Sequence, residues 1–78
     1  MNDLEVVVGG TYRHFKGSKM LVIAIAKHSE TLDKMVVYQH LDTNEIWVRP
    51  YDMFISKVDK EKYPNIEQEY RFELINND

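Results

Sequence analysis

Apolar and polar positions along this chain alternate with a period of two, in short runs separated by polar turns, and three such runs sit side by side in sequence. Met20-Leu21-Val22-Ile23-Ala24-Ile25-Ala26 is apolar on both faces. Its β-branched content, its length and its polar flanks predict a strand rather than a buried helix. Met35 to Leu41 follows as the central strand, and Ile46-Trp47-Val48-Arg49 returns beside it. His28 to Lys34 and Asp42 to Glu45 supply turn-forming residues between the runs. The whole stretch from Met20 to Val58 therefore reads as an antiparallel meander. In the central strand Val36, Tyr38 and His40 point one way, and Met35, Val37, Gln39 and Leu41 the other. The second set is the more continuous apolar face, so it is expected to be core. Ile46 and Val48 then point inward, with Trp47 and Arg49 on the opposite face.

The flanks complete the pattern. Leu4, Val6 and Val8 fit a short edge strand or a frayed terminus, and Gly9-Gly10 breaks the chain. Thr11 to Phe15 alternates and leads through Lys16-Gly17-Ser18-Lys19 into Met20, which predicts a hairpin. Pro50 cannot donate to a sheet ladder and suits the first turn of a helix, so it should end one strand and begin a single helical turn carrying Met53 and Phe54. Phe54 to Val58 reads as a short strand. Residues 59–69 are charged, contain Pro64 and read as a mobile excursion. Residues 70–75, beginning Tyr70-Arg71-Phe72-Glu73-Leu74, form the closing strand. Residues 1–78 thus make one all-β domain: a small SH3-like, partly open barrel of five or six short antiparallel strands, with an OB-type barrel as the alternative.

Composition narrows the function classes. The chain has no cysteine, which excludes a disulfide framework or a thiolate metal site and is compatible with a reducing, cytoplasmic setting. The start, Met1 to Glu5, is acidic and unlike a secretory signal. The longest apolar run falls far short of the roughly 20 residues a membrane span requires. Net charge is −3, but residues 11–29 carry Arg13, Lys16, Lys19 and Lys27 with no acid, whereas seven acids lie in residues 51–78. That polarity suits a phosphate-bearing ligand at the first hairpin, and equally a solvated hairpin of snorkelling lysines. The acidic total speaks against a general nucleic-acid binder.

Tyr12-Arg13-His14-Phe15-Lys16-Gly17, Ala26-Lys27-His28-Ser29-Glu30-Thr31-Leu32, Val36-Val37-Tyr38, Trp47-Val48-Arg49-Pro50 and Met53-Phe54 occur in that order. This series of blocks resembles a family of small, mostly bacterial domains of unknown function. The resemblance covers about residues 10–58, together with Arg71-Phe72-Glu73, and implies a compact SH3-like β-barrel. It implies no activity. Lys57 to Tyr70 departs from the shorter, glycine-containing link of that family.

Candidate chemistry is sparse. His14, His28 and His40 are too widely spaced for a local ligand pair, so no metal or cofactor is expected. His28-Ser29-Glu30 holds the residue types of a hydrolytic triad, but adjacent side chains diverge where a triad must converge. Trp47 and Arg49 share a strand face, and an aromatic ring beside a guanidinium is suited to stacking and to binding carboxylate or phosphate. With Tyr12, Arg13, His14 and His28 they make a candidate ligand-binding patch, in which Glu30 would hold His28 or Arg13 in place. The favoured function is a non-catalytic binding module for a peptide or protein partner. Nucleotide or single-stranded RNA binding is the alternative, and a small enzyme using His28 and Glu30 the rival from another class. The sequence leaves ligand and oligomeric state open.

Overall fold

A computed structural model of the chain describes residues 6–76. Five strands and one helical turn follow in sequence: β1 (Thr11–His14), β2 (Lys19–Lys27), β3 (Lys34–His40), β4 (Ile46–Pro50), α1 (Tyr51–Phe54) and β5 (Phe72–Asn76). They form one antiparallel sheet in the order β4-β3-β2-β1-β5. The first four strands run as a meander, and β5 returns to pair with β1 after the helical turn. This is the all-β, partly open arrangement expected from the sequence. The sheet does not close, so β4 and β5 remain its two edges.

The first two hairpins and the central strand fall where alternation places them. Pro50 ends β4 and stands at the N-cap of α1 with ψ 140° and with φ −56°, the angle its ring fixes. In β2 the pairing slips between Val22 and Ala24, leaving Ile23 without a counterpart on β3. Such a bulge sharpens strand twist and lets a short sheet curl. The strand expected at Phe54 to Val58 is absent. Phe54 completes α1, and only Lys57 makes a bridge, to Tyr70. The closing strand starts at Phe72, two residues later than its alternation suggests.

Residues 59–69 form a loop tied down at several points. The Val58 amide donates to the Glu69 carbonyl (2.9 Å) and the Arg71 amide to that of Ser56 (3.0 Å). Lys60 Nζ donates to the carbonyls of Ile66 and Gln68. Gln68 Nε2 donates to the Arg13 carbonyl on β1 (3.0 Å). At the other end, residues 1–5 lie outside the described residues, and residues 6–8 form no strand. There the Val6 and Val7 amides donate to the hydroxyls of Tyr51 and Tyr12.

Two of the three hairpin turns are built alike. In residues 28–33 the Leu32 amide donates to the His28 carbonyl and the His28 amide to that of Asp33. In residues 40–45 Asn44, His40 and Glu45 repeat the same two bonds, and all four are 2.8 Å. Thr31 and Thr43 each accept the amide two residues on, at 3.2 and 3.3 Å. Leu32 and Asn44 both sit at left-handed φ, 64° and 65°. Asn adopts that conformation readily, whereas a leucine there is uncommon.

The core occupies one face of the sheet. Tyr12, Met20, Val22, Val36, Tyr38 and Phe72 are buried on it, and α1 lays Phe54 across them. Phe54 stacks on Phe72 with centroids 4.1 Å apart and rings 6° from parallel. It meets Tyr12 edge-on at 5.3 Å. Burying one such side chain contributes about 2–3 kcal/mol.

The two faces are the reverse of the sequence reading. Val36 and Tyr38 are the buried members of β3, while Met35, Val37 and Gln39 face outward. Leu41 lies in the following turn. Ile46 and Val48 are 63% and 56% exposed rather than core. The reason is physical: both faces of β2, β3 and β4 carry apolar residues, so a period of two fixes which residues share a face but not which face is covered. That choice is made by Phe54 of α1 and Phe72 of β5, which pack on the Val36–Tyr38 side.

Candidate functional site

Strand register assembles the site. Paired residues in an antiparallel sheet share a face, and the pairs His14–Phe72, Tyr12–Met20, Met20–His40, Tyr38–Trp47 and Val36–Arg49 therefore lie on the core side. α1 covers only part of that side. Beyond it the sheet is open, leaving a cavity of about 160 Å³ whose floor is Met20, Tyr38 and Phe72 and whose polar walls are His14, Lys16, Ser18, His40 and Arg49.

Arg49 is held from two sides. Its Nε donates to the Tyr38 hydroxyl at 3.4 Å, and its guanidinium lies over the Phe72 ring at 5.2 Å. Phe72 is in turn fixed by its stack on Phe54. His14 packs edge-on against Phe72, centroids 5.0 Å apart. Its Nδ1 accepts the Lys16 backbone N–H at 3.1 Å, so in the neutral ring Nε2 carries the proton. Burial pushes the His14 pKa down to about 4, with repulsion from Arg49, Lys16, Arg71 and His40 adding to it. His40 lies between Tyr38 (5.8 Å) and the edge of Trp47 (5.7 Å). Trp47 belongs to the core face but sits on the outermost strand, so it remains 51% exposed.

The expected patch is only partly brought together. Trp47, Arg49 and His14 share the open end of the core face. Arg13 does not: it pairs with Lys19 and Glu73 on the opposite face and lines a separate groove with Gln68 and Glu73. The prediction of one surface holding both Arg13 and Trp47 is thus overturned, because His14 rather than Arg13 shares parity with the core. Tyr12 is buried beneath α1, its hydroxyl occupied by the Val7 amide. His28 and Glu30 lie in the β2–β3 turn, the length of β2 away from the cavity. His28 Nδ1 there accepts the backbone N–H groups of Glu30 (3.1 Å) and Thr31 (3.3 Å). It is the Glu30 backbone, not its carboxylate, that meets the imidazole, and Glu30 is remote from Arg13.

Lys16, Ser18, His40 and Phe72 belong to the site and were not among the candidate ligand-binding residues read from sequence. His40 and Tyr38 were accessible through the strand period once the core face is known. Lys16 was present in the acid-free hairpin. Phe72 gives no local signal, because its place depends on β5 crossing to β1.

The chain belongs to the DUF1653 family, whose model, described as a protein of unknown function, matches residues 10–74. The matched span includes residues 59–69. No curated protein and no solved structure matches the chain. No helix among the described residues is long and apolar enough to cross a membrane.

Proposed function

We propose that this DUF1653 domain is a non-catalytic, cytoplasmic binding module for a peptide or protein partner, gripped at the open end of the core face. The observation that carries the proposal is Arg49. Its guanidinium is pre-positioned by Tyr38 and Phe72, and among the described residues it has no carboxylate partner. A fixed, unneutralised guanidinium is ready for an acidic or carbonyl group, since little side-chain freedom is lost on binding. The half-exposed Trp47 beside His40 supplies apolar contact area next to it. Trp and Arg are the residue types that most often dominate binding energy at interfaces. The cytoplasmic setting rests on the cysteine-free composition.

A surface-display library of random peptides, panned against the full chain, tests this. Selected peptides should lose at least tenfold in affinity to both Trp47→Ala and Arg49→Gln, with the thermal unfolding of each variant still cooperative. Selection of no peptide, or of peptides indifferent to both substitutions, would remove the proposal. Nucleotide or single-stranded RNA binding is the second reading, favoured by the cations interleaved with aromatic rings in this cavity and tested by the nucleotide arm described below.

A further inference from the structure

The polar wall of the cavity consists of groups able to donate. His14, His40 and Arg49 supply N–H groups and Ser18 a hydroxyl; Lys16 also lines the cavity, its ammonium lying over the Phe15 and Tyr63 rings, and no lining residue is Asp or Glu. Two other clefts share His14 with this cavity and do contain acids: Asp59 with Lys62 and Arg71 in one, Glu67 and Glu73 with Arg13 in the other. This concentration of donors stands in a chain of net charge −3, so it is not a by-product of a basic composition.

The donors also come from different directions. His14 is at the end of β1, Lys16 and Ser18 are in the β1–β2 turn, His40 ends β3 and Arg49 is on β4. A carboxylate presents two oxygens in one plane and a single charge. A phosphate monoester presents three outward oxygens and a charge of about −1.5 to −2 at neutral pH. Donors spread around a cavity match the second better, and a guanidinium adds a two-toothed contact. Size agrees: the cavity, about 160 Å³, is below the roughly 300 Å³ at which drug-sized ligands are enclosed. It admits one compact ionic group, with the remainder of the ligand left outside along Trp47.

We infer that this cavity is a phosphoryl site, and that it takes the phosphate monoester of a phosphorylated peptide. The inference rests on the peptide-binding proposal and narrows it. The His14 pKa, lowered first by burial and then by Arg49, Lys16, Arg71 and His40, is in keeping with the positive and donor groups gathered there. A bound dianion would relieve their mutual repulsion. The neutral His14 ring still offers its Nε2 proton, so it serves as donor without being charged.

The test is a titration of the full, ¹⁵N-labelled chain in phosphate-free buffer with four probes. They are inorganic phosphate, acetate, a phosphoserine peptide beside its unphosphorylated twin, and a 5′-mononucleotide. Inorganic phosphate should give saturable shifts at His14, Ser18 and the Arg49 Nε–H, and acetate should not. The phosphopeptide should bind at least tenfold more tightly than its twin. Arg49→Gln and Lys16→Gln should each weaken phosphate binding about tenfold. Arg49→Lys, which keeps the charge and most of the packing, should lose less and serves as the control if Arg49→Gln fails to fold. Non-saturating shifts, equal binding of the twin peptides, or indifference to both Arg49 variants would overturn the inference. Library peptides that need Trp47 and Arg49 yet are not displaced by phosphate would overturn it while leaving the binding-module proposal standing. Saturable mononucleotide binding with neither peptide bound would overturn the peptide assignment itself.

Discussion

All three histidines stand where a strand gives way to a hairpin turn: His14 ends β1, His28 follows β2, and His40 ends β3. In the first two the ring Nδ1 accepts a backbone N–H two residues on, as an Asn or Asp side chain does in such turns. Only two of the three come together in space: His14 and His40 line the same cavity, while His28 lies at the far end of β2. His14 differs from the other two in its surroundings, and it makes stability depend on pH. Its pKa is near 4 in the folded chain against 6.5 in the unfolded one. Above pH 6.5 both states are neutral and the ring contributes no pH dependence. As pH falls through the interval from 6.5 to 4 the unfolded chain takes up a proton that the folded chain refuses, so stability is lost, and below 4 the loss levels off. The ring is only half-buried, so the loss is about 2 kcal/mol rather than the full value of the shift. His14→Asn keeps an acceptor for the Lys16 amide but cannot titrate. Denaturant unfolding at pH 4.5 and pH 7 should therefore show a smaller stability difference for this variant than for the parent. Equal pH profiles would show that His14 titrates normally. Removing a neighbouring cation with Arg49→Gln should raise the His14 pKa, read directly by NMR.

At the scale of strands, faces are grouped correctly by sequence and oriented wrongly. The period of two places Trp47 with Arg49 and Val36 with Tyr38, as the register confirms. It cannot say which group is covered, because Met35, Val37, Ile46 and Val48 form an equally apolar stripe. Coverage comes from α1 and β5, and their docking is set by contacts between residues far apart in the chain, such as Phe54 on Phe72. The energetic consequence is directly measurable. Val36→Ala should destabilise by about 2 kcal/mol through lost burial and an unfilled cavity. Val48→Ala, on the exposed side of β4, should change stability by less than about 0.5 kcal/mol. The ranking, read from urea midpoints, would be inverted if the outward stripe were the true core.

For the molecule as a whole, the legible features were those that need only neighbours: the meander, the turn at Pro50 and the acid-free first hairpin. The candidate site was legible in halves. Trp47, Arg49 and His14 were found, while the surface that joins them, floored by Phe72, exists only after β5 has crossed to β1. Arg13 was misplaced by a single residue of parity, which in a strand is the difference between the two faces. The loop of residues 59–69 looked mobile because its composition is polar and charged. What composition does not show is that the Gln68 and Lys60 side chains reach carbonyl groups, bonds that no periodicity encodes.

The matching turns at 28–33 and 40–45 carry one consequence of a different kind. Exchanging residues 29–32 with residues 41–44 would give an anagram of the chain, identical in mass, composition and net charge. If each turn is specified by its own threonine bond and left-handed residue, the anagram should fold to the same sheet. Its melting temperature should lie within about 5 °C of the parent, equivalent to under roughly 1 kcal/mol. Loss of cooperative melting would show that the two loops are not interchangeable parts and owe their shapes to the strands that hold them.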